Sequence, residues 1–184
     1  VTIREKWIHG IHDLVTGDEV TRKRIAPVAG TLVFSLVALF LVLCLMLDRV
    51  MELEGFFTPG IRLGLGLPSL FAGLYLMMWS VFTFAESGGT PVPVNPPRKL
   101  VVAGPYTHVR NPMLVGIFLL LFGIGFLLSS FTTVFIFTPL FILVNVAEVK
   151  AVEEPELEMR LGAEYVEYRS RTPMFIPRLW NMDR

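Results

Sequence analysis

Three apolar stretches free of charge divide the chain, and polar residues collect between and after them. Val28 to Leu47 reads VAGTLVFSLVALFLVLCLML, and Leu63 to Ala85 reads LGLGLPSLFAGLYLMMWSVFTFA. A bilayer span needs about 20 predominantly apolar residues, because a helix rises about 1.5 Å per residue through about 30 Å of hydrocarbon. Both stretches reach that length. The third, Asn111 to Ala147, holds 37 residues without a formal charge. One straight helix of that length would extend about 55 Å, too far for a single crossing. It suits a hairpin turning at Ser129-Ser130-Phe131-Thr132-Thr133, with arms of roughly 16 to 18 residues at the short end of the permitted range. The pattern thus predicts an all-α integral membrane protein with four transmembrane helices over 28–47, 63–85, 111–128 and 131–147.

The polar segments carry their own patterns. Within residues 1–27, EKWIHGIHDLV spaces Trp7, Ile8, Ile11 and Leu14 at helical intervals beside charges, which predicts an interfacial helix. Gly10 weakens that helix. This segment lacks the continuous apolar core of a cleavable signal peptide. Residues 86–110 include Gly88-Gly89, Pro91, Pro93 and Pro96-Pro97. Prolines fix φ and resist helix, so this reads as an ordered loop laid across the membrane surface. After the hairpin, residues 148–184 predict a helix and a tail.

Composition agrees with the membrane reading: 53% of the 184 residues are hydrophobic and 17% charged, against about 25% charged in soluble domains. The 16 basic and 16 acidic side chains cancel, which argues against a nucleic-acid partner. Charge placement sets orientation. Arg4, Lys6, Arg22, Lys23 and Arg24 precede the first span, while Arg98, Lys99 and Arg110 face one acid in the long loop. By the positive-inside rule both termini and that loop belong on the cytoplasmic side, and an even number of spans agrees. In a prokaryote this would be the inner or cell membrane. Cys44, inside an apolar run, reads as a buried structural thiol. His9 and His12 share a helical face but have no third ligand, so no metal is expected.

The chemistry gathers at two places. Arg110 stands at the mouth of the third apolar stretch. Two readings stand for it: a guanidinium reaching an anionic ligand, or a topology arginine snorkelling to lipid phosphate. Glu153 and Glu154 stand where the last stretch ends, and Lys150 is spaced to pair with them on a helix. Pro155 either bends this helix or opens a new one. Leu157, Leu161, Tyr165 and Tyr168 form a packing stripe at helical spacing. Pro173-Met174-Phe175-Ile176-Pro177 and Trp180 are expected to lie on the bilayer or to cover the site. The chain holds no G-x-G-x-x-G between a strand and a helix, no Walker loop, no H-E-x-x-H and no G-x-S-x-G. A nucleotide-derived cofactor would therefore be held by membrane helices and their loops.

Two groups of residues resemble a known family. Gly104-Pro105-Tyr106, Val109-Arg110-Asn111-Pro112-Met113 and Gly116 are similar to the first signature of the isoprenylcysteine carboxyl methyltransferase family, whose superfamily includes membrane phospholipid methyltransferases. Glu153-Glu154, Leu157, Leu161-Gly162, Tyr165, Tyr168 and Ile176-Pro177 are similar to the second. The resemblance covers about residues 86 to 178. Asn111 replaces the family histidine, Leu114 a tyrosine and Leu161 a phenylalanine. An amide is no acid or base near neutrality, so Asn111 fits a role in orienting a ligand. Leu114 can pack but cannot donate a hydrogen bond. Both changes mark a subfamily free to use another substrate.

The resemblance implies a methyltransferase using S-adenosyl-L-methionine, with the cytoplasmic loop and C-terminal helix forming the cofactor site. It implies Arg110, Glu153 and Glu154 as catalytic residues. Gly104, Pro105, Tyr106, Arg110, Asn111, Pro112, Leu114, Gly116, Glu153, Glu154 and Tyr165 are implied cofactor contacts, with Tyr106 at the entrance and Gly116 permitting close backbone approach. The implied acceptor is small or lipophilic, methylated on a carboxylate oxygen, an amine nitrogen or a thiol sulfur; isoprenylcysteine-like compounds and phospholipids both qualify. Two other readings compete. A membrane NADPH-dependent sterol or enone reductase would want basic residues for phosphates, yet residues 148–184 carry eight acids and six bases. A non-catalytic scaffold explains the spans but not the paired polar signatures.

Overall fold

A computed structural model describes residues 3–16, 19–87 and 99–177. The regular structure among them is entirely helical: α1 (Ile3–Thr16), α2 (Glu19–Val50), α3 (Pro59–Glu86), α4 (Pro112–Leu127), α5 (Thr138–Glu148), α6 (Glu154–Leu161) and α7 (Ala163–Arg171), with a 3₁₀ turn at Gly104–Thr107. Two π-helical segments, Thr133–Phe137 and Val149–Glu153, join α5 to its neighbours. The expected proline-rich loop over 88–98 and Trp180 lie outside the described residues.

Helix boundaries follow local chemistry. Thr58 caps α3, its hydroxyl accepting from the Ile61 amide at 3.5 Å, and Pro59 opens the first turn. Proline suits that position because its missing N–H has no intrahelical partner there. The helix therefore begins four residues before the apolar run at Leu63. Ser129 ends the α4 side of the hairpin in a left-handed conformation with φ 55°. Gly162, at φ 61°, separates α6 from α7, so the stripe from Leu157 to Tyr168 runs over two helices.

Three helices are long and apolar enough to cross a membrane: Pro27–Val50, Pro59–Glu86 and the continuous run Thr133–Leu161. The chain is a multi-pass integral membrane protein. The expected count of four is overturned. Pro112–Leu127 has 16 residues, about 24 Å of rise against about 30 Å of hydrocarbon. The other arm does not stop at Ala147 but runs unbroken to Leu161, over 29 residues. An uncharged run sets where helices can lie, whereas Ser129 and the π segments set where they end. The parity argument for the termini loses its premise. α1 nevertheless packs beside α6, with His12 Nδ1 3.5 Å from Glu156 Oε1.

The α3–α4 pair forms the tightest seam, and glycines make it. Methyl groups built on Gly73 and Gly116 would each lie under 3.0 Å from the other's carbonyl oxygen. One built on Gly123 would lie 2.7 Å from the Leu70 amide, and one on Gly66 2.7 Å from Leu127 Cγ. Small residues let membrane helices approach closely where lipid offers no hydrophobic drive to association. The seven-residue spacing in each helix keeps the two contacts on one face. α2 is the contrast. Almost none of its apolar window is buried, and Leu32, Phe34, Leu36 and Leu39 face outward.

α2 is held mainly at one end. Phe40 stacks on Phe137 at 5.5 Å, Cys44 is buried as expected, and Asp48 is 2% exposed. The Asp48 carboxylate accepts from the Thr132 amide at 2.9 Å, from the Thr132 hydroxyl at 2.5 Å and from the Ser130 hydroxyl. Burial of a carboxylate is costly unless its lone pairs are filled. Here they are filled by donors at the start of the last long helix.

Candidate functional site

The opposite end of the α3–α4 pair carries the polar signatures. Gly104 has φ 54°, and a methyl group there would meet Thr83 Oγ1 at 2.6 Å and Trp79 Nε1 at 3.0 Å. Both geometry and space require glycine. The turn it opens lies on α3: Pro105 is fully buried, and Tyr106 packs its ring 4.6 Å from Phe84. Tyr106 is thus a packing residue beneath the turn rather than an exposed lining of an entrance.

Arg110 and Asn111 lead into Pro112 at the start of α4, with Asn111 at φ −126° and ψ 59°, outside the α region that a following proline disfavours. Their amides donate to the Pro173 carbonyl at 2.8 Å and the Met174 carbonyl at 3.1 Å. Phe175 lies against Phe118 of α4, centroids 5.5 Å apart. The tail therefore covers the chain at Arg110 like a strap. The Asn111 side chain makes no capping bond to α4.

The acidic partner comes from the last long helix. A π segment inserts an extra residue into a turn and shifts everything after it. Val149–Glu153 does so immediately before Glu154, and Pro155 then sits in the first turn of α6. Pro155 thus falls where the π turn gives way to α6, inside a helical run that continues through Glu153 and Glu154 in right-handed backbone. The shift takes Glu154 away from Lys150, which is exposed. Glu154 Oε1 instead accepts from Arg110 Nη1 at 2.6 Å, each side chain 11% exposed. Arg169 Nη1 lies 3.7 Å from Glu154 Oε2 and also pairs with Glu158. Glu156 pairs with Arg160 at 2.9 Å and with His12. Glu153 has no ion pair or hydrogen bond among the described residues.

Two tyrosines of α7 complete the cluster. The Tyr165 hydroxyl lies 3.5 Å from Arg110 Nη1. Burial, then the nearby Glu154 charge, pushes its pKa up to about 12, against the opposing pull of Arg110. The phenol is therefore a neutral group at physiological pH. Tyr168 donates to the Tyr106 carbonyl at 2.7 Å, and burial raises its pKa as well.

Of the residues singled out in the sequence, Arg110, Glu154 and Tyr165 meet directly. Gly104, Pro105 and Tyr106 join through Tyr168, while Asn111 and Pro112 flank Arg110. Leu114 is half-buried in the first turn of α4. Gly116 lies in the α3–α4 seam, where Gly73 and Met77 account for its missing side chain. Arg169, Glu158 and the Glu156–Arg160–His12 group were not anticipated. Arg169 is 11 positions from Glu158 with Gly162 between, a distance no helical spacing rule connects. The strap's carbonyls bond through backbone alone and leave no side-chain signature.

Among the described residues, no group of three or more His, Cys, Asp or Glu side chains is placed to hold a metal ion. The sequence model of one family, described as phospholipid methyltransferase, matches residues 61–164. That stretch takes in most of α3, the Gly104 turn, α4, the last long helix with Glu154, and the first residues of α7. The chain is also 36% identical over 81 residues to the nickel-cobalt-cadmium resistance protein NccN of Alcaligenes xylosoxydans xylosoxydans, covering 44% of this chain and 37% of that protein. The chain thus spans well under half the length of this curated relative. No solved structure matches it.

Proposed function

The chain belongs to the phospholipid methyltransferase family, and from that premise we propose that it transfers a methyl group from S-adenosyl-L-methionine to a small or lipophilic acceptor. The observation that carries this reading is the Arg110–Glu154 pair, assembled across 44 positions of sequence with Tyr165 beside it. Arg110 Nε is buried and has no hydrogen-bond partner among the described residues. A buried donor left empty costs about 1–3 kcal/mol. A guanidinium with one edge held by a carboxylate and another donor unused fits the methionyl carboxylate of this cofactor.

When bound, S-adenosyl-L-methionine supplies a methyl carbon made electrophilic by its sulfonium. The protein's task is then positioning in a dry site. Arg110 binds the carboxylate, and Glu154 fixes the plane of the guanidinium. Asn111 hydrogen-bonds the methionyl end through its amide. Glu153, unlike its neighbours Glu154 and Glu156, remains available for the cofactor's hydroxyl or amino groups. Gly104, Pro105 and Tyr106 shape the floor, and Leu114 supplies an apolar contact. The neutral Tyr165 hydroxyl adds a donor without adding charge. The strap at Pro173 and Met174 keeps water from Arg110.

The acceptor's reacting atom is a carboxylate oxygen, an amine nitrogen or a thiol sulfur, and an acceptor dissolved in the bilayer reaches the site laterally. The finer likeness to isoprenylcysteine carboxyl methyltransferases rests on the two motifs. A cytoplasmic location for this end rests on Lys99 and Arg110 and the positive-inside rule. The test is calorimetric titration of detergent-solubilised protein with S-adenosylhomocysteine, with NADPH in parallel. Saturable binding of the first alone is expected. Binding of NADPH alone would replace this reading with a reductase.

A further inference from the structure

Glu154 is shared by two arginines, and that sharing has a consequence for ligand binding. Its Oε1 faces Arg110 at 2.6 Å and its Oε2 faces Arg169 at 3.7 Å. A single carboxylate paired with Arg110 alone would neutralise it and would repel a second carboxylate arriving on the same guanidinium. Arg169 changes that balance. It is about one-third exposed, it lies on α7, and it approaches the side of Glu154 turned from Arg110.

Resting on the cofactor reading above, we infer that Arg169 is a positioning residue: it holds Glu154 so that Arg110 keeps attractive charge and open donors for the methionyl carboxylate. Arg169 itself touches neither cofactor nor acceptor. Its effect reaches the ligand through Glu154 and therefore acts on the carboxylate end alone. Glu158 competes for the same guanidinium. Removing the Glu158 charge gives Arg169 wholly to Glu154 and tightens binding of a carboxylate-bearing ligand.

The experiment is calorimetric titration of wild type, Arg169→Gln, Arg169→Lys and Glu158→Gln with two ligands. S-adenosylhomocysteine carries the methionyl carboxylate, and 5′-methylthioadenosine lacks it. Arg169→Gln is expected to weaken S-adenosylhomocysteine about tenfold, the scale of one charge-assisted contact, and to leave 5′-methylthioadenosine within about twofold. Arg169→Lys should recover most of the loss. Glu158→Gln should strengthen S-adenosylhomocysteine, which keeps the test open if Arg169→Gln does not fold. Equal weakening of both ligands, or weaker S-adenosylhomocysteine binding in Glu158→Gln, would overturn the inference while the cofactor reading stands. A folded wild type that binds neither ligand would remove the cofactor reading itself.

Discussion

The Tyr168 hydroxyl donates to the main-chain carbonyl of Tyr106 at 2.7 Å, across 62 positions of sequence, with both residues buried. That bond ties α7 to the turn that begins at Gly104, and so joins the two polar signatures from behind. Tyr168→Phe keeps the ring and removes only the donor, leaving a buried carbonyl empty. We expect a loss of about 1–3 kcal/mol in stability. Thermal unfolding with and without S-adenosylhomocysteine checks it. An unchanged midpoint would mean that the turn is held by its packing on Phe84 and Thr83 alone.

Arg110 and Glu154 should behave as a buried pair. Arg110→Ala leaves Glu154 charged, mostly enclosed and paired only with Arg169 at 3.7 Å, at a cost below the about 3–5 kcal/mol of a buried charge left with no partner. An apolar pair of similar volume escapes that cost, because both charges leave together. Arg110→Met with Glu154→Leu is therefore expected to recover the unfolding midpoint lost in Arg110→Ala. It should still fail to bind S-adenosylhomocysteine. Recovery of stability without binding separates the ligand role of the pair from its structural one. Arg169 retains Glu158 in the double variant, so no second charge is stranded.

Much of the frame was legible from hydrophobic runs. Three of the four expected spans coincide with long apolar helices, because uncharged stretches have nowhere else to go. The count failed at the hairpin, where the run from Asn111 to Ala147 gave no sign of where each arm ends. Thr58-Pro59 carries a readable start signal for α3, a capping side chain followed by proline, four residues ahead of the apolar run. Arg110 and Glu154 were both visible, yet Lys150 was the partner that helical spacing suggested for Glu154. The π segment at Val149–Glu153 breaks that spacing, and no composition rule announces it. Gly116 was read as room for a ligand, whereas its neighbour is Gly73 on another helix. A glycine states that something comes close, not what.

The glycine seam makes a sharp contrast available within one helix. Gly64 and Gly73 both lie in α3, but a methyl group on Gly64 meets nothing within 4 Å, while one on Gly73 meets the Gly116 carbonyl at 2.7 Å and the Leu120 amide at 2.8 Å. Backbone cannot move aside as a side chain can. Gly73→Ala should cost about 1–3 kcal/mol through overpacking. Gly64→Ala should be neutral or stabilising by about 0.5–1 kcal/mol, the helix-propensity gain. Unfolding midpoints in a single detergent compare the two directly. Similar midpoints for both variants would show that α3 and α4 separate more readily than their close approach implies.

The last prediction concerns the end of the bundle away from the site. Asp48 takes three donors from Ser130 and Thr132, and these fix α2 to the start of the last long helix. Elsewhere α2 meets the protein so little that this junction dominates its attachment. Asp48→Ala removes the acceptor and strands the buried Thr132 amide and hydroxyl, each worth about 1–3 kcal/mol if left empty, while the Ser130 hydroxyl keeps Thr133. Asp48→Asn keeps one acceptor oxygen and should lose less. Neither substitution touches Arg110, Glu154 or the strap, and coupling between distant, separately packed groups is small. Both variants are therefore expected to unfold at lower temperature and, while folded, to bind S-adenosylhomocysteine with wild-type affinity. Titration well below each variant's own midpoint reads the two effects apart. A loss of affinity in Asp48→Asn that exceeds its loss of stability would show that the position of α2 is transmitted to the site.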